Sequence, residues 1–112
     1  MRLTTKTEEH LRIIMVEDDR IDAAVAIEFK DAMRAQTADG PDQIILDLSA
    51  VNFIDSSGLG AIVASMKLLG AERKLALAGL TPPVAKVFHL TRMDSVFEMF
   101  ESIEGALTKL AS

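Results

Sequence analysis

The chain has 112 residues, 49% of them apolar, and a formal net charge of −5 at pH 7, which fits one domain with a single core. The acidic balance and the absence of any lysine or arginine run argue against nucleic acid or an anionic membrane as partner, since both need a basic face. The chain contains no cysteine, which excludes disulfides and cysteine nucleophiles, and no apolar segment approaches the ~20 residues that span a bilayer, so a cytoplasmic protein is expected.

The first third of the chain contains one clear strand and one clear helix. Residues 1–9 are polar and rich in threonine, and they form either a short first strand or a flexible tail. The compact apolar run Leu11–Val16 predicts a strand. Asp22 is the predicted N-cap of a helix over Ala23–Ala35, because its carboxylate can accept hydrogen bonds from the unpaired amides of the first turn. The residues at helical spacing on this helix are Ala23, Ala26, Ile27, Phe29, Lys30 and Met33.

The middle of the chain predicts a buried strand followed by an amphipathic helix. The nearly continuous apolar run Gln43–Leu48 is typical of a strand that is covered on both faces, as in a parallel sheet. A helix is predicted from about Ser57 to Leu69, and Gly70 is a natural C-terminal stop. The apolar stripe of this helix consists of Leu59, Ile62, Val63, Met66 and Leu69.

The last third continues the alternation of strands and helices. Leu75–Ala78 predicts another buried strand, and Pro82 and Pro83 stand where a helix can begin. The predicted core face of that short helix consists of Val84, Val87, Phe88 and Leu90. Ser95–Phe100 mixes features of a strand and of a turn, and both alternatives stay open. Ile103–Leu110 predicts a C-terminal helix.

This alternation predicts an α/β protein: one domain over residues 1–112, with a mostly parallel sheet of about four or five strands and about four helices. Functional loops of such sheets gather beyond the carboxyl ends of the strands. The loops Glu17–Asp22 and Asp47–Ser57 both leave strands at that end, so we expect them to be neighbours. Asp22 is then within reach of Ser56.

The junction between the central strand and the helix after it carries two hydroxyls, a carboxylate and two glycines. On local sequence alone, Asp55-Ser56-Ser57 has two interpretations that stay open. In the first, it is only a helix N-cap followed by flexible glycines. In the second, a serine is a phosphoacceptor, because the free amides and the positive dipole end of a helix N-terminus tolerate phosphate. Gly58 and Gly60 would let a partner or the neighbouring backbone come close.

Other chemistries lack the residues that they need. Ser56 does not lie in the Gly-x-Ser-x-Gly nucleophile elbow, and His10 and His89 are of a kind that is more often structural than catalytic. The acidic residues after the first apolar strand resemble the pocket of a two-component receiver, but the stretch from Asp19 to Asp47 has room for only one helix. The Gly-x-Gly segment after the serines lacks the lysine of a phosphate-binding loop. We therefore expect no enzyme activity, catalytic residue, metal site or cofactor.

The segment Ile44–Ala61 resembles the STAS domains of bacterial anti-sigma-factor antagonists. Its pattern is a strand that ends Leu-Asp-Leu, a short spacer, and then Phe-Ile-Asp-Ser-Ser-Gly-Leu-Gly. Arg20–Ala23 is similar to the family's turn before its first helix, and Val84–Thr91 with Val96-Phe97 is similar to its late helix and closing segment. The resemblance covers nearly the whole chain, and it implies a single STAS-type domain.

The resemblance implies a protein that switches partners rather than an enzyme. The unphosphorylated antagonist would bind an anti-sigma factor or switch serine kinase and so release the target of that protein. The kinase would phosphorylate the serine after the aspartate, here Ser56, and a PP2C-type phosphatase would restore binding. The implied partner-binding residues are Asp22, Asp55, Ser56, Ser57, Gly58, Leu59 and Gly60. Neither nucleic acid nor a membrane is an expected partner, and the expected state is a monomer or weak dimer.

The chain departs from the family pattern in two loops. Asp18-Asp19-Arg20 stand where the family usually has a glycine, and this loop borders the docking face. Arg92-Met93 replace the family's Gly-Leu after the late helix, which removes a residue favoured in the left-handed region. The alternative function is a STAS interaction subunit of a larger regulatory or transport complex, in which Ser56 is only a cap and is not phosphorylated.

Overall fold

Strands and helices alternate along the chain, as the sequence predicts. The computed structural model describes residues 1–8 and 10–111. In chain order the elements are β1 (Leu3–Thr7), β2 (Leu11–Val16), β3 (Arg20–Ile21), α1 (Ala26–Gln36), β4 (Gln43–Asp47), β5 (Phe53–Ile54), α2 (Ser56–Leu69), β6 (Lys74–Ala78), α3 (Pro82–Leu90), a 3₁₀ helix (Met93–Ser95), β7 (Glu98–Phe100) and α4 (Ile103–Leu110).

The main sheet has five strands in the order β1-β2-β4-β6-β7. β1 pairs with β2 antiparallel, and the remaining neighbours pair in parallel. The predicted α/β class, the mostly parallel sheet and the predicted helices are therefore confirmed. The N-terminal segment adopts the first of its two alternatives, since Leu3–Thr7 forms an edge strand. Glu9 lies outside the described residues.

Helices cover both faces of the main sheet, which explains why β4 is apolar along most of its length. Ile44 and Leu46 point to one face and Ile45 to the other, and all three are fully buried. On the first face, the buried helical side chains of the core include Phe29, Met33, Ile62, Val84 and Phe88. They come from α1, α2 and α3. On the second face, Ala106 of α4 packs with Ile45.

The start of α1 differs from the prediction. The helix begins at Ala26 with Val25 at the N-cap, three residues later than expected, and Asp22 is not its cap. The Asp22 carboxylate instead accepts a hydrogen bond from the Ala24 N–H at 3.1 Å, within a turn. The physical reason is tertiary: the segment just before this turn is strand β3, whose pairing with β5 holds the chain extended where a helix would otherwise begin.

The predicted core face of α3 contains one residue that the structure places in solvent. Leu90 is 73% exposed, so its assignment to the core was wrong. On α1, Ile27 is similarly 70% exposed. Each lies two residues from a buried phenylalanine, Phe29 or Phe88. Two residues turn an α-helix by about 200°, so the two side chains of each pair point to opposite sides.

The segment after α3 combines the two alternatives that the sequence left open. Ser95 ends a 3₁₀ turn, and the strand β7 then runs from Glu98 in parallel with β6. Arg92 has a φ of 59°, and it is the only non-glycine residue with positive φ in the described part of the chain. The backbone therefore keeps the left-handed conformation that a glycine would favour there, at a cost of about 1–2 kcal/mol for a residue with a Cβ.

Candidate partner-docking site at the start of helix α2

The two loops that the sequence places at the carboxyl ends of the strands meet in the structure. β3 and β5 pair in parallel as a small second sheet, with Arg20 opposite Phe53 and Ile21 opposite Ile54. The Asn52 N–H also donates to the carbonyl oxygen of Asp19 at 2.8 Å. The prediction that these loops are neighbours is confirmed, and their pairing is what positions the start of α2.

Asp55 is the residue that joins the two loops. Its Oδ1 accepts from the Gly58 N–H at 2.9 Å, which caps α2. Its Oδ2 accepts from the Ala23 N–H at 3.2 Å, in the other loop. The pKa of Asp55 is lowered, first by the Gly58 N–H and then by the N–H groups of Ala23 and Ser57, while partial desolvation opposes them. Asp55 is therefore a fixed, charged cap at neutral pH.

The two glycines of the junction have different roles. Gly58 is buried, and a Cβ added there would lie 1.9 Å from the carbonyl oxygen of Ile21. Only glycine therefore lets the backbone of α2 approach β3 this closely. Gly60 is exposed, and nothing lies within 4 Å of a Cβ added to it. Gly60 leaves the surface of α2 open, whereas Gly58 serves packing within the chain.

Ser56 and Ser57 are the first two residues of the 14-residue helix α2, and both side chains are exposed. Within the described part of the chain, neither hydroxyl makes a hydrogen bond. Both hydroxyls are thus presented to solvent at the positive end of a helix. Leu59 has the one large apolar side chain among the predicted partner-binding residues. It is only partly exposed and packs against the core.

Asp22 lies at the edge of this site and is partly engaged. Its Oδ2 accepts a charge-assisted hydrogen bond from Arg20 Nε at 3.1 Å, and its side chain is 21% exposed. The Arg20 guanidinium also lies 4.2 Å from the centre of the Phe53 ring, a cation–π contact. Arg20, Asp22 and Phe53 therefore form one polar and aromatic rim beside the serines.

Sequence reasoning did not assign Arg20 and Phe53 to the site. Phe53 is 40% exposed, whereas its neighbour Ile54 is buried. Both residues are apolar, so the sequence itself carries no alternation that would have marked Phe53 as the exposed one. The position of the Arg20 guanidinium over the Phe53 ring depends on the β3–β5 pairing. Strands of two residues leave no recognisable pattern in a sequence.

The described residues contain no group of three histidine, cysteine, aspartate or glutamate side chains placed to hold a metal ion. His89 lies on α3, where its Nδ1 forms a hydrogen bond with Asp94 Oδ2 at 2.9 Å. Among the described helices, none combines the length and apolar character needed to cross a membrane.

Comparison with known proteins identifies relatives over most of the chain. The STAS domain family matches residues 2–106. The anti-sigma-F factor antagonist RsfB of Mycobacterium tuberculosis is 31% identical over 88 residues, which cover 79% of this chain and 72% of RsfB. The crystal structure of an anti-sigma factor antagonist from Mycobacterium paratuberculosis superimposes with a TM-score of 0.88 and 28% identity, over 99% of this chain and 94% of that one.

A more distant likeness is to the anti-sigma factor antagonist SpoIIAA, whose structure is known in an unphosphorylated form and, from Bacillus, in a phosphorylated form. The TM-scores are 0.74 and 0.67, each at 21% identity, a level that shows a shared fold. The match with the unphosphorylated structure covers 98% of this chain and 96% of that one. The match with the phosphorylated structure covers 97% of this chain and 99% of that one. From the match over residues 2–106 and the identity with RsfB, the chain belongs to the STAS domain family.

Proposed function

We propose that this protein is an anti-sigma-factor antagonist of a partner-switching system. The unphosphorylated form binds an anti-sigma factor or switch serine kinase and releases the target of that protein. Phosphorylation of Ser56 by the kinase abolishes binding, and a PP2C-type phosphatase reverses it. The protein acts in the cytoplasm as a monomer or weak dimer, without a cofactor and without catalytic activity of its own. The observation that carries the proposal is the Ser56 hydroxyl, which is exposed directly after the fixed cap Asp55 and makes no hydrogen bond within residues 1–8 and 10–111.

The surroundings of Ser56 suit a phosphate that changes the surface and leaves the fold intact. Ser56 opens a 14-residue helix, whose positive dipole end and free amides favour an anion. Asp55 is held by amides from two segments, Ala23 and Gly58, so a phosphate on the next residue need not displace it. The phosphate would therefore be added to a segment whose position is already fixed by these hydrogen bonds.

The same surroundings explain how a phosphate would end the complex. The unmodified surface offers the exposed ring of Phe53 and the open backbone at Gly60, which a partner can approach closely. A phosphate adds roughly −1.5 to −2 charges at neutral pH. That charge stands directly after the carboxylate of Asp55, and burying the two negative groups against a partner would require their desolvation.

The named relatives support the same role. RsfB is an anti-sigma-F factor antagonist, and the SpoIIAA structures include a phosphorylated form. We extend the antagonist role and the phosphorylation from those proteins to this chain. Asp22 and Arg20 contribute to partner choice, because they form the charged rim of the docking surface.

The proposal is tested by phosphorylation in vitro. The protein is incubated with ATP, Mg²⁺ and each candidate serine kinase of its organism, and the modified residue is mapped by mass spectrometry. We expect one phosphate on Ser56, none on Ser56→Ala, and normal modification of Ser57→Ala. The matched alanine variants are needed because both hydroxyls are exposed. Modification at another residue, or none with any candidate kinase, would contradict the proposal.

A further inference from the structure

A cavity lies at the end of the molecule opposite to the serine site. Its volume is about 590 Å³. The first residues of β4, β6 and β7 line it, and so does the last turn of α2. These strands are parallel, so their amino ends share one edge of the sheet, whereas Ser56 lies beyond the carboxyl ends. Helix α2 connects the two edges, and its 14 residues make it about 21 Å long.

The unequal lengths of β6 and β7 leave this cavity open. β7 begins opposite Ala76, the third residue of β6, so Lys74 and Leu75 extend past the start of β7. The chain just before β7 forms a 3₁₀ turn that ends at Val96. On the other side, α2 ends and Gly70, with a φ of 79°, turns the chain toward β6. A concavity therefore remains between the end of α2 and the segment before β7.

Part of the wall of the cavity is apolar. The apolar side chains that line it include Met66, Leu75 and Val96. Leu75 is buried and Met66 packs against the core, so this part of the wall is held in place. Val96 is one of the five large apolar side chains that are exposed in the described part of the chain. A ligand that covers Val96 would remove apolar surface from water, which favours binding.

The remaining wall is mainly cationic, although the whole chain carries a net charge of −5. Lys67, Arg73 and Lys74 line the cavity. Within residues 1–8 and 10–111, the ammonium groups of Lys67 and Lys74 make no hydrogen bond or ion pair. The Arg73 guanidinium bonds only to carbonyl oxygens there, among them those of Thr37 and Pro41. No carboxylate of the described residues therefore neutralises these three cations.

Two negative groups lie near the three cations, and neither cancels them. Glu98 is the one acidic residue among the described lining residues, and it forms an ion pair with Lys109 of α4. The negative end of the α2 dipole amounts to only about half a charge. The cavity therefore has an excess of positive charge, and its concave, partly apolar wall strengthens the attraction of an anion.

We propose that this cavity, here called the α2–β6 cavity, binds a small organic anion that consists of a carboxylate or phosphate on an apolar body. The anionic group is attracted by Lys67, Arg73 and Lys74, and the apolar body covers Leu75 and Val96. The volume lies within the range of about 300–1,000 Å³ that is typical of small-molecule sites. This binding activity is separate from the switch at Ser56 and does not depend on it.

The first experiment is a titration with naphthyl phosphate and with naphthoate, followed by the fluorescence anisotropy of the naphthalene ring. The chain contains neither Trp nor Tyr, so its own fluorescence interferes little. Naphthol, which has the ring without the anionic group, is the matched control compound. We expect saturable binding of at least one of the two anions, at least about tenfold tighter than that of naphthol. The tighter of the two anions identifies the preferred anionic group.

Paired lysine variants test whether the cavity is the binding site. Lys67→Gln/Lys74→Gln removes two cations from the cavity. Lys30→Gln/Lys86→Gln is the control, because it causes the same change in net charge at two other exposed lysines. Circular dichroism checks that both variants fold. We expect the first pair to raise the Kd of the tighter anion at least about tenfold and the control pair to change it less than about twofold.

Nuclear magnetic resonance of the backbone amides locates the ligand directly. On addition of the tighter anion, we expect the largest chemical-shift changes at Gly70, Ala71 and Val96, and no change at Ser56 or Gly60. Inorganic phosphate, which lacks the apolar body, should leave Val96 unchanged at the same concentration.

Four results would overturn the α2–β6 cavity as a binding site. They are no binding of either anion, binding of naphthol as tight as that of both anions, equal Kd values for the two paired variants, and shift changes centred away from the cavity. Each of them would leave the proposed switch at Ser56 standing, since the two sites lie at opposite ends of α2.

Discussion

At the scale of single residues, the site depends on the carboxylate of Asp55 and on the absence of a Cβ at Gly58. The two oxygens of Asp55 accept from amides of two different segments, at Gly58 and Ala23. Gly58 allows those segments to approach, because any Cβ there would collide with the backbone oxygen of Ile21. Ser56 is therefore positioned by its neighbours, while its hydroxyl makes no hydrogen bond to any described residue.

The two glycines give a matched pair of substitutions with opposite expected effects on stability. Gly58→Ala should lower the free energy of unfolding by roughly 1–3 kcal/mol, because its methyl group would overlap the Ile21 carbonyl. Gly60→Ala should raise the same quantity by about 0.5–1 kcal/mol, since alanine favours a helix and its Cβ meets open space. Urea unfolding monitored by circular dichroism measures both. Similar effects of the two substitutions would contradict the close approach at Gly58.

Asp55 predicts a stability that declines in acid. Its pKa is lowered in the folded protein, mainly by the Gly58 N–H. The charged cap therefore stabilises the fold fully above the pKa of an unfolded aspartate, and this contribution is lost as the pH falls through the lower folded-state pKa. Unfolding of wild type and Asp55→Asn should differ most near neutral pH, and the difference should shrink toward acid. A difference that is independent of pH would show that the charge of Asp55 does not stabilise the fold.

At the scale of elements, two arginines secure the end of α1. Arg12 Nη1 donates to the carbonyl oxygen of Gln36 at 2.7 Å. Arg73 Nη1 donates to that of Thr37 at 2.6 Å, and its Nη2 donates to that of Pro41 at 3.0 Å. The last carbonyl groups of a helix lack partners within the helix and lie at its negative dipole end, so guanidinium groups suit them. These contacts connect α1 and its following loop to β2 and to the turn before β6.

Removal of the Arg73 contacts should loosen this end of α1. Arg73→Gln should lower the free energy of unfolding by about 2–3 kcal/mol, since at least two charge-assisted hydrogen bonds are lost. Arg34→Gln is the control. Its guanidinium is well exposed and makes a surface ion pair, so its removal should change the free energy of unfolding by less than about 0.5 kcal/mol. Equal values for both variants in urea unfolding would show that the Arg73 contacts do not stabilise the fold.

The elements differ in how far the sequence predicts them. β4 and α2 were predictable, because a buried strand and an amphipathic helix each leave a long apolar pattern. β3 and β5 were not, because each has two residues and exists only through its pairing with the other. The start of α1 was misplaced for the same reason. Asp22 has the chemistry of a cap, but the adjacent β3–β5 pairing, a tertiary contact, decides where the helix begins.

At the scale of the whole molecule, the order of the strands places the site. β2 and β4 are parallel neighbours, so the loops that follow them share one edge of the sheet. The alternation of strands and helices was enough to predict that edge, and hence the meeting of the two loops, which Ala23 and Asp55 join by a hydrogen bond. The sequence did not predict that Phe53 is exposed at this edge with Arg20 over its ring, because that arrangement depends on the pairing of β3 with β5.

The central claim is that a phosphate on Ser56 switches partner binding, and calorimetry of the phosphorylated protein tests it most directly. The kinase that modifies Ser56 is titrated with unmodified protein and with protein phosphorylated only at Ser56, and Ser57→Ala serves as a control for the second hydroxyl. We predict that the phosphate raises the Kd at least about 100-fold, through like-charge repulsion and desolvation. This corresponds to a loss of about 2.7 kcal/mol of binding free energy. Equal Kd values for the two forms would contradict the switch and favour a STAS interaction subunit in which Ser56 is only the first residue of a helix.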